Sequence, residues 1–322
     1  YYRWQTSLEQ LYRLVDDIDA LTDREKIAVL GNSEALLNAG KLSLADYMFV
    51  INALLREAHP LVFLPALEKL ITIGNEFVDA KTDEAFSRFI DNALADRFRE
   101  VGIDERPDDS EAVIQMRPRL LRALGQFGSD EAVRKTAALL TSEYFAAADS
   151  VPPGIALEAM RVTALNDDGS QYARYQKAYL NSTSEGQKSN ILGAIYFDNP
   201  DVVSRHLDFS ISPAVPAGDA TRGIYAFSGL LEDPTPVYDW LDENLDAFKA
   251  KIPAFYHPML PQVIGDTCSP KGLQLLKEFF DQRDEKYAES LARAVESAES
   301  CIERRNRHAV DLQQFLQPYS VR

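Results

Sequence analysis

Signals for the start of an α-helix recur along this 322-residue chain and constrain its fold more than any other feature. Each pairs a short polar side chain, which accepts hydrogen bonds from free amide protons, with a residue suited to the first turn. They include Thr22-x-x-Glu25, Ser184-x-x-Gln187, Asn199-Pro200, Thr235-Pro236 and Ser269-Pro270. Because the apolar residues between them follow helical spacing, the pattern predicts an all-α chain.

Short polar turns join the predicted helices, which is typical of helical hairpins stacked in series. No strict sequence period is present, so we expect a superhelical array of degenerate HEAT-like or armadillo-like hairpins. Gly40 is expected to cap the second helix, and Pro118 to kink a later one. The predicted helices are 8–21, 22–39, 43–58, 61–79, 82–101, 110–127, 129–145, 155–165, 169–180, 184–196, 199–207, 220–231, 236–251, 253–264, 270–282, 285–304 and 307–316.

The net charge of −16 limits the classes of partner. Binding to nucleic acid or to an anionic membrane surface needs a basic face, so neither is expected. The charge either maintains solubility or marks an acidic cavity that attracts cationic ligands. No run of 18 apolar residues occurs, so no transmembrane helix is predicted, and we expect no signal peptide in these residues.

Residues 1–6 depart from the helical pattern, because they are aromatic and β-prone. We expect them to be the last strand of a preceding domain. The chain opens without Met, which indicates a fragment or a processed product.

The two cysteines, Cys268 and Cys301, fall at the same end of a predicted hairpin that turns near Asp284. Each lies roughly 25 Å from that turn along its helix axis, so a disulfide is geometrically feasible. A disulfide would indicate a periplasmic or secreted protein. The alternative is two buried thiols in a reducing, cytoplasmic compartment.

Motifs for catalysis are missing from the sequence. The four histidines, at positions 59, 206, 257 and 308, do not have the spacing of metal ligands, and no H-E-x-x-H, C-x-x-C, G-x-S-x-G or phosphate-binding loop occurs. We therefore predict no catalytic residue, no metal ligand and no cofactor in this chain.

Three features are candidates for a binding surface. One is a group of arginines on the helix with Pro118, which can bind a carboxylate or form salt bridges to neighbouring helices. The second is Arg222 with Tyr225, one helical turn apart after a proline-rich loop. The third is Phe255-Tyr256-His257, whose aromatic rings suit either a ligand or the core. The arginines of the first group are Arg117, Arg119 and Arg122.

Several short segments resemble, in order, the C-terminal region of zinc aminopeptidases of the aminopeptidase N family. The resemblance spans essentially the whole chain and depends on the order of these segments. They are residues 1–3 (YYR), 23–30 (DREKIAVL), 39–43 (AGKLS), 54–57 (LLRE), 268–270 (CSP), 276–280 (LKEFF) and the closing 304–316.

The resemblance implies that residues 1–6 end a β-sandwich and that residues 7–322 form the C-terminal helical domain. In the family this domain is a bowl of HEAT-like hairpins that covers the active site and encloses a peptide chamber. Zinc and its H-E-x-x-H motif belong to a separate catalytic domain, so this chain is expected to be inactive alone. Its expected partners are the enzyme's own catalytic and β-sandwich domains and the peptide substrate. The candidates for the chamber lining are Arg117, Arg222, Tyr225, Tyr256 and His257.

Two other functions are compatible with a helical array. A free-standing HEAT-like scaffold would bind a protein partner, although the β-prone residues 1–6 argue against it. A helical toroid enzyme, such as a terpene cyclase or a lyase, needs an acidic motif of the D-D-x-x-D kind, which this sequence lacks.

Overall fold

The computed structural model describes Trp4, residues 6–281, Arg283 and residues 285–320. In these residues the chain forms sixteen α-helices and no β-strand, which confirms the all-α prediction. The helices are α1 (Leu8–Asp16), α2 (Asp23–Asn38), α3 (Leu44–Leu54), α4 (Pro60–Phe77), α5 (Asp83–Val101), α6 (Glu111–Phe127), α7 (Glu131–Ala146), α8 (Pro153–Leu165), α9 (Tyr172–Asn181), α10 (Glu185–Leu192), α11 (Pro200–Ile211), α12 (Thr221–Leu230), α13 (Thr235–Lys251), α14 (Leu260–Ile264), α15 (Pro270–Asp281) and α16 (Ala288–Leu316).

Most of the predicted caps are present. The Thr22 hydroxyl accepts from the Glu25 amide, and the Glu25 carboxylate accepts from the Thr22 amide at 2.8 Å, so both residues of this capping box act as predicted. Gly40 follows α2 with φ +66°, a conformation that disfavours side chains with a Cβ atom. Thr235 is an exception, because α13 begins at Thr235 itself and Asp233 accepts from its amide at 3.0 Å.

Several helix boundaries differ from the prediction, and two of the differences have a clear cause in the sequence. The predicted helices 285–304 and 307–316 are one continuous helix, α16, because no glycine or proline interrupts residues 288–316. The predicted helix 253–264 is instead a 3₁₀ helix, Ala254–Met259, followed by α14. Pro258 lacks an amide proton, so an α-helical hydrogen bond cannot form there.

The predicted strand over residues 1–6 lies largely outside the described residues. Of this segment the structure describes Trp4 and Thr6, and neither belongs to a helix. The Trp4 amide donates to the side-chain oxygen of Asn32 at 3.0 Å, so the entry to the helical region is tied to α2.

The chain divides into two compact units, and α7 and α16 each contribute to both. The first unit is Tyr1–Lys135 with Asn306–Arg322. In it α4 and α5 both pack against α6, and α2, α3 and α4 pack against one another. Its core holds edge-to-face aromatic pairs, such as Phe86 with Phe127 at 5.5 Å and Phe89 with Phe315 at 5.1 Å.

The second unit is Thr136–Arg305. Here α10 packs on α8 and α9, α11 packs on α12 and α13, and α14 packs on α12 and α15. Buried rings fill its core, with Tyr172 placed 6.0 Å from Phe197 and 5.9 Å from His206. This core fixes α8, α10, α12 and α14, which carry the candidate site. No helix in the described part of the chain is both long and apolar enough to cross a membrane.

Candidate binding cleft

A cleft of about 370 Å³ opens within the second unit, and five structural elements of that unit form its walls. It is bounded by α8, the end of α10 and the residues after it, α12, the 3₁₀ helix Ala254–Met259, and α14. Leu192, Ala226 and Val263 supply apolar surface. The polar and aromatic lining residues are Arg161, Tyr196, Thr221, Arg222, Tyr225 and Tyr256.

Three of the five predicted chamber residues meet in this cleft. Arg222 and Tyr225 share one face of α12, because residues three apart in a helix are neighbours on its surface. Tyr256 comes from a separate element, the 3₁₀ helix, and lines the same space. The sequence indicated Arg222 with Tyr225 and the segment with Tyr256 as separate candidates, and the structure places them around one cleft.

Arg161 and Tyr196 also line the cleft, and neither was among the predicted residues. The Arg161 Nε donates to the Gly193 carbonyl oxygen at 2.9 Å, and a second guanidinium nitrogen lies 3.1 Å from the Glu158 carboxylate. The guanidinium carbon lies 5.3 Å from the centre of the Tyr196 ring, within the range of a cation–π contact. The only signal in the sequence is the i, i+3 spacing of Glu158 and Arg161, which is common on solvated helices.

Arg222 is held by contacts on two sides. Its Nε lies 3.0 Å from the Asp219 carboxylate, and its Nη1 donates to the Ser189 hydroxyl at 3.0 Å. The side chain remains half-exposed. Its guanidinium is therefore oriented by the protein and still accessible from the cleft.

Tyr225 is 55% exposed, and the carboxylate of Asp266 lies near its hydroxyl. The negative charge of Asp266 raises the pKa of Tyr225 above its ordinary value, and partial burial and the polar contact with the carboxylate act in the same direction. The phenol is therefore protonated near neutral pH. Tyr256 also lines the cleft, and its ring stacks on the 66%-exposed Phe255, with 4.2 Å between centroids.

His257 does not line the cleft. Its Nε2 lies 2.9 Å from the carbonyl oxygen of Lys249, which can only accept, so Nε2 carries the proton and donates. This contact fixes the 3₁₀ helix to the end of α13 and leaves Tyr256, its neighbour, at the cleft.

Arg117 does not line the cleft, contrary to the expectation from the sequence. Its side chain is 0% exposed in the first unit and pairs with Asp109, so it cannot contact a ligand. Arg119 on the same helix pairs with Glu68, as the salt-bridge alternative expected.

Cys268 and Cys301 are joined by a disulfide, with their Cα atoms 5.3 Å apart. Cys268 lies just before α15 and Cys301 lies in α16, so the disulfide joins these two parts of the second unit. Cys268 lies two residues after Asp266, so the disulfide attaches the segment that carries Asp266 to α16.

The cleft has the chemistry of a binding site. It offers phenol hydroxyls, guanidinium donors and flat aromatic faces, all of which serve to bind polypeptide. In the described part of the chain, no three His, Cys, Asp or Glu side chains converge to hold a metal ion.

Comparisons with known proteins agree with this fold. Residues 1–300 match the family described as ERAP1-like C-terminal domain. Aminopeptidase M1 of Arabidopsis thaliana is 27% identical over 257 residues, which cover 75% of this chain and 28% of that protein. Aminopeptidase M1-A of Oryza sativa subsp. japonica is 25% identical over 303 residues, which cover 88% of this chain and 33% of that protein.

The chain thus spans about a third or less of the length of these relatives. The family match extends over both compact units, from the first residue into the first half of α16. This chain therefore belongs to the ERAP1-like C-terminal domain family, as the C-terminal domain of an aminopeptidase N-like enzyme.

Proposed function

We propose that this chain is the peptide-binding domain of a zinc aminopeptidase that removes N-terminal residues from peptides, and that it has no catalytic activity of its own. The family match and the relatives, which are named as aminopeptidases, support this proposal. In it, the helical hairpins form a bowl that covers the active site and encloses a peptide chamber. The catalytic and β-sandwich domains of the same enzyme are its partners.

The side chains present here do not fit a catalytic zinc ion. Zinc in a peptidase needs about three converging imidazole or carboxylate ligands. Each histidine instead has its own structural setting: His59 at the start of α4, His206 in the core, His257 on the Lys249 carbonyl, and His308 at 3.0 Å from Asp311. We therefore place the zinc ion on the catalytic domain.

The cleft of the second unit is the observation that carries a peptide-binding role. Its guanidinium N–H groups and the Thr221 hydroxyl can donate to peptide carbonyl oxygens. The rings of Tyr196, Tyr225 and Tyr256 offer surface that covers apolar side chains at a small loss of conformational entropy. A cleft of this size accommodates a few residues of a peptide, not a whole folded partner.

A hydrolysis assay tests the absence of catalysis. The isolated chain is incubated with an aminoacyl-arylamide, with and without added zinc. We expect no release of arylamine above the rate without protein in either condition, because no residue set in the described part of the chain can bind zinc and activate water. Zinc-dependent hydrolysis that follows the protein concentration would contradict the proposal.

A binding assay tests the cleft. A labelled peptide of about ten residues, with norleucine at a central position and no charged side chain, is titrated with the chain and followed by fluorescence anisotropy. Tyr256→Ala is expected to weaken binding about tenfold, because it removes an aromatic wall. The control is Tyr12→Ala, a partly exposed tyrosine of the first unit, which should leave the affinity unchanged. Equal affinities of the wild type and Tyr256→Ala would contradict the assignment of the cleft.

We also propose that the protein functions in an oxidising compartment, periplasmic or secreted, because its two cysteines are disulfide-bonded. Thiol labelling of protein taken directly from its source cells tests this. Blocked cysteines before reduction support an oxidising compartment, and free thiols indicate a cytoplasmic protein.

A further inference from the structure

The two arginines that line the cleft each have a carboxylate partner, whereas a nearby aspartate has no basic partner among the described residues. Arg161 lies 3.1 Å from the Glu158 carboxylate, and Arg222 lies 3.0 Å from the Asp219 carboxylate. Each of these pairs is close to neutral at a distance of several ångströms. The basic residues of the wall therefore contribute little net positive potential to a ligand inside the cleft.

Asp266 is the charge that lacks such compensation. No lysine, arginine or histidine in the described residues lies within ion-pair distance of its carboxylate, which is exposed. Gly229 lies one turn after Tyr225 on α12. A Cβ atom added to Gly229 would lie 3.8 Å from one oxygen of the Asp266 carboxylate. The carboxylate thus lies along α12 next to Tyr225, whose side chain lines the cleft.

The surface next to this carboxylate is aromatic. Tyr225, which lies next to Asp266, lines the cleft together with Tyr256, and the ring of Tyr256 stacks on the exposed ring of Phe255. A cation is attracted to the face of an aromatic ring, and more so when a carboxylate lies beside it. The methylene groups of a lysine or arginine side chain can cover the rings while the charged end remains near Asp266.

We propose that the cleft selects peptides that carry a lysine or arginine side chain, and that Asp266 is the residue that determines this specificity. The inference depends on the proposed peptide-binding function and names the class of peptide that the same cleft prefers. The negative net charge of the chain favours the approach of a cationic peptide from a distance. Binding of an acidic side chain is disfavoured, since both arginines already have carboxylate partners.

The test uses three labelled peptides that differ only at one central residue, which is lysine, norleucine or glutamate. Norleucine matches the lysine stem without its charge. We expect the lysine peptide to bind about tenfold more tightly than the norleucine peptide, as a cation–π contact and an exposed ion pair together allow. The glutamate peptide should bind more weakly than the norleucine peptide. The advantage of lysine should decrease as salt is added.

Asp266→Asn removes the negative charge while it keeps the size of the side chain and one side-chain oxygen. It is expected to bring the affinities of the lysine and norleucine peptides to within about twofold of each other, with little change for norleucine itself. The matched control is Asp246→Asn, which removes a fully exposed carboxylate from α13 in the same unit and should preserve the lysine preference.

The outcomes separate the inference from the proposed function. If all three peptides bind equally, or if Asp266→Asn leaves the lysine preference intact, the inference is wrong. Should Tyr256→Ala still weaken the norleucine peptide in that case, the peptide-binding function stands without the preference for basic residues. If none of the three peptides binds, both the inference and the proposed function are wrong.

Discussion

The guanidinium of Arg117 and the carboxylate of Asp109 form an ion pair in which the arginine is fully enclosed. The same guanidinium donates to the Val101 carbonyl oxygen at 3.4 Å, so it connects the end of α5 to α6 through the intervening loop. The Arg106 amide and Arg117 hold the pKa of Asp109 below its ordinary value by hydrogen bonding, although the loss of solvation opposes this. Arg117 therefore stabilises the fold of the first unit.

Arg117→Ala is expected to lower the free energy of unfolding by about 3 kcal/mol, because the pair is enclosed and its partner is left uncompensated. Denaturant unfolding measures the change. Arg99→Ala is the control: it breaks an exposed pair with Asp96 on α5, and we expect a change below about 0.5 kcal/mol. Similar losses in the two variants would show that enclosure of Arg117 is unimportant.

His206 makes the second unit sensitive to acid. It is buried on α11, its Nδ1 lies 3.3 Å from the Tyr172 hydroxyl, and burial lowers its pKa to about 4. In the unfolded chain the imidazole of His206 is protonated with its ordinary pKa of about 6.5. The contribution of neutral, buried His206 to the stability of the fold is therefore complete above that pH. It is lost as the pH falls from there towards the folded-state value.

We expect His206 to lower the free energy of unfolding by about 2 kcal/mol between pH 7.5 and pH 5. Urea unfolding at the two pH values measures this, and His206→Gln should remove that part of the pH dependence. His59→Gln, at an exposed position, should retain it. An identical pH dependence in wild type and His206→Gln would contradict the assignment.

The disulfide closes a loop with a sequence separation of 33 residues. Removing it by the double change Cys268→Ser and Cys301→Ser should lower the free energy of unfolding by about 3 kcal/mol, since the unfolded chain regains the entropy of an open loop. Thermal unfolding with and without a reductant provides the comparison. The reductant should affect the wild type only, and an equal effect on the double variant would show that the bridge has no such role.

Helix starts were predictable from sequence because their chemistry is local. The cap residues of α2, α10 and α11 accept hydrogen bonds from amides two or three positions later, so a few letters determine the result. The continuation of α16 through Arg305 and Asn306 was not predicted. Two adjacent polar residues resemble a turn, and no glycine or proline marks where the helix really ends.

The cleft was only partly predictable, for a physical reason. Arg222 and Tyr225 are one turn apart on one helix, so their proximity follows from the sequence alone. The meeting of Tyr256 with Tyr196 depends on the packing of separate elements, which periodicity does not encode. Burial of Arg117 and of the whole aromatic core is likewise a tertiary property, which is why a basic residue was mistaken for a surface one.

Tyr225 reports on its contact with Asp266. Because the aspartate raises the pKa of Tyr225, Asp266→Asn should lower that pKa towards its ordinary value of about 10. NMR titration of ¹³C-labelled tyrosine measures it. Tyr12 provides the matched control, since its hydrogen bond to Asp46 in the first unit raises the pKa to about 12 and Asp266→Asn should leave it unchanged. An unaltered Tyr225 titration would contradict the contact.

Hydrogen–deuterium exchange of the chain with and without the lysine-containing peptide locates the bound peptide on the fold. We expect slower exchange over residues 189–197, 221–229 and 254–266, with no change over the first unit. The double variant Tyr225→Ala and Tyr256→Ala should lose this protection. Protection confined to the first unit, or the same protection in the double variant, would contradict the claim that this cleft binds peptide.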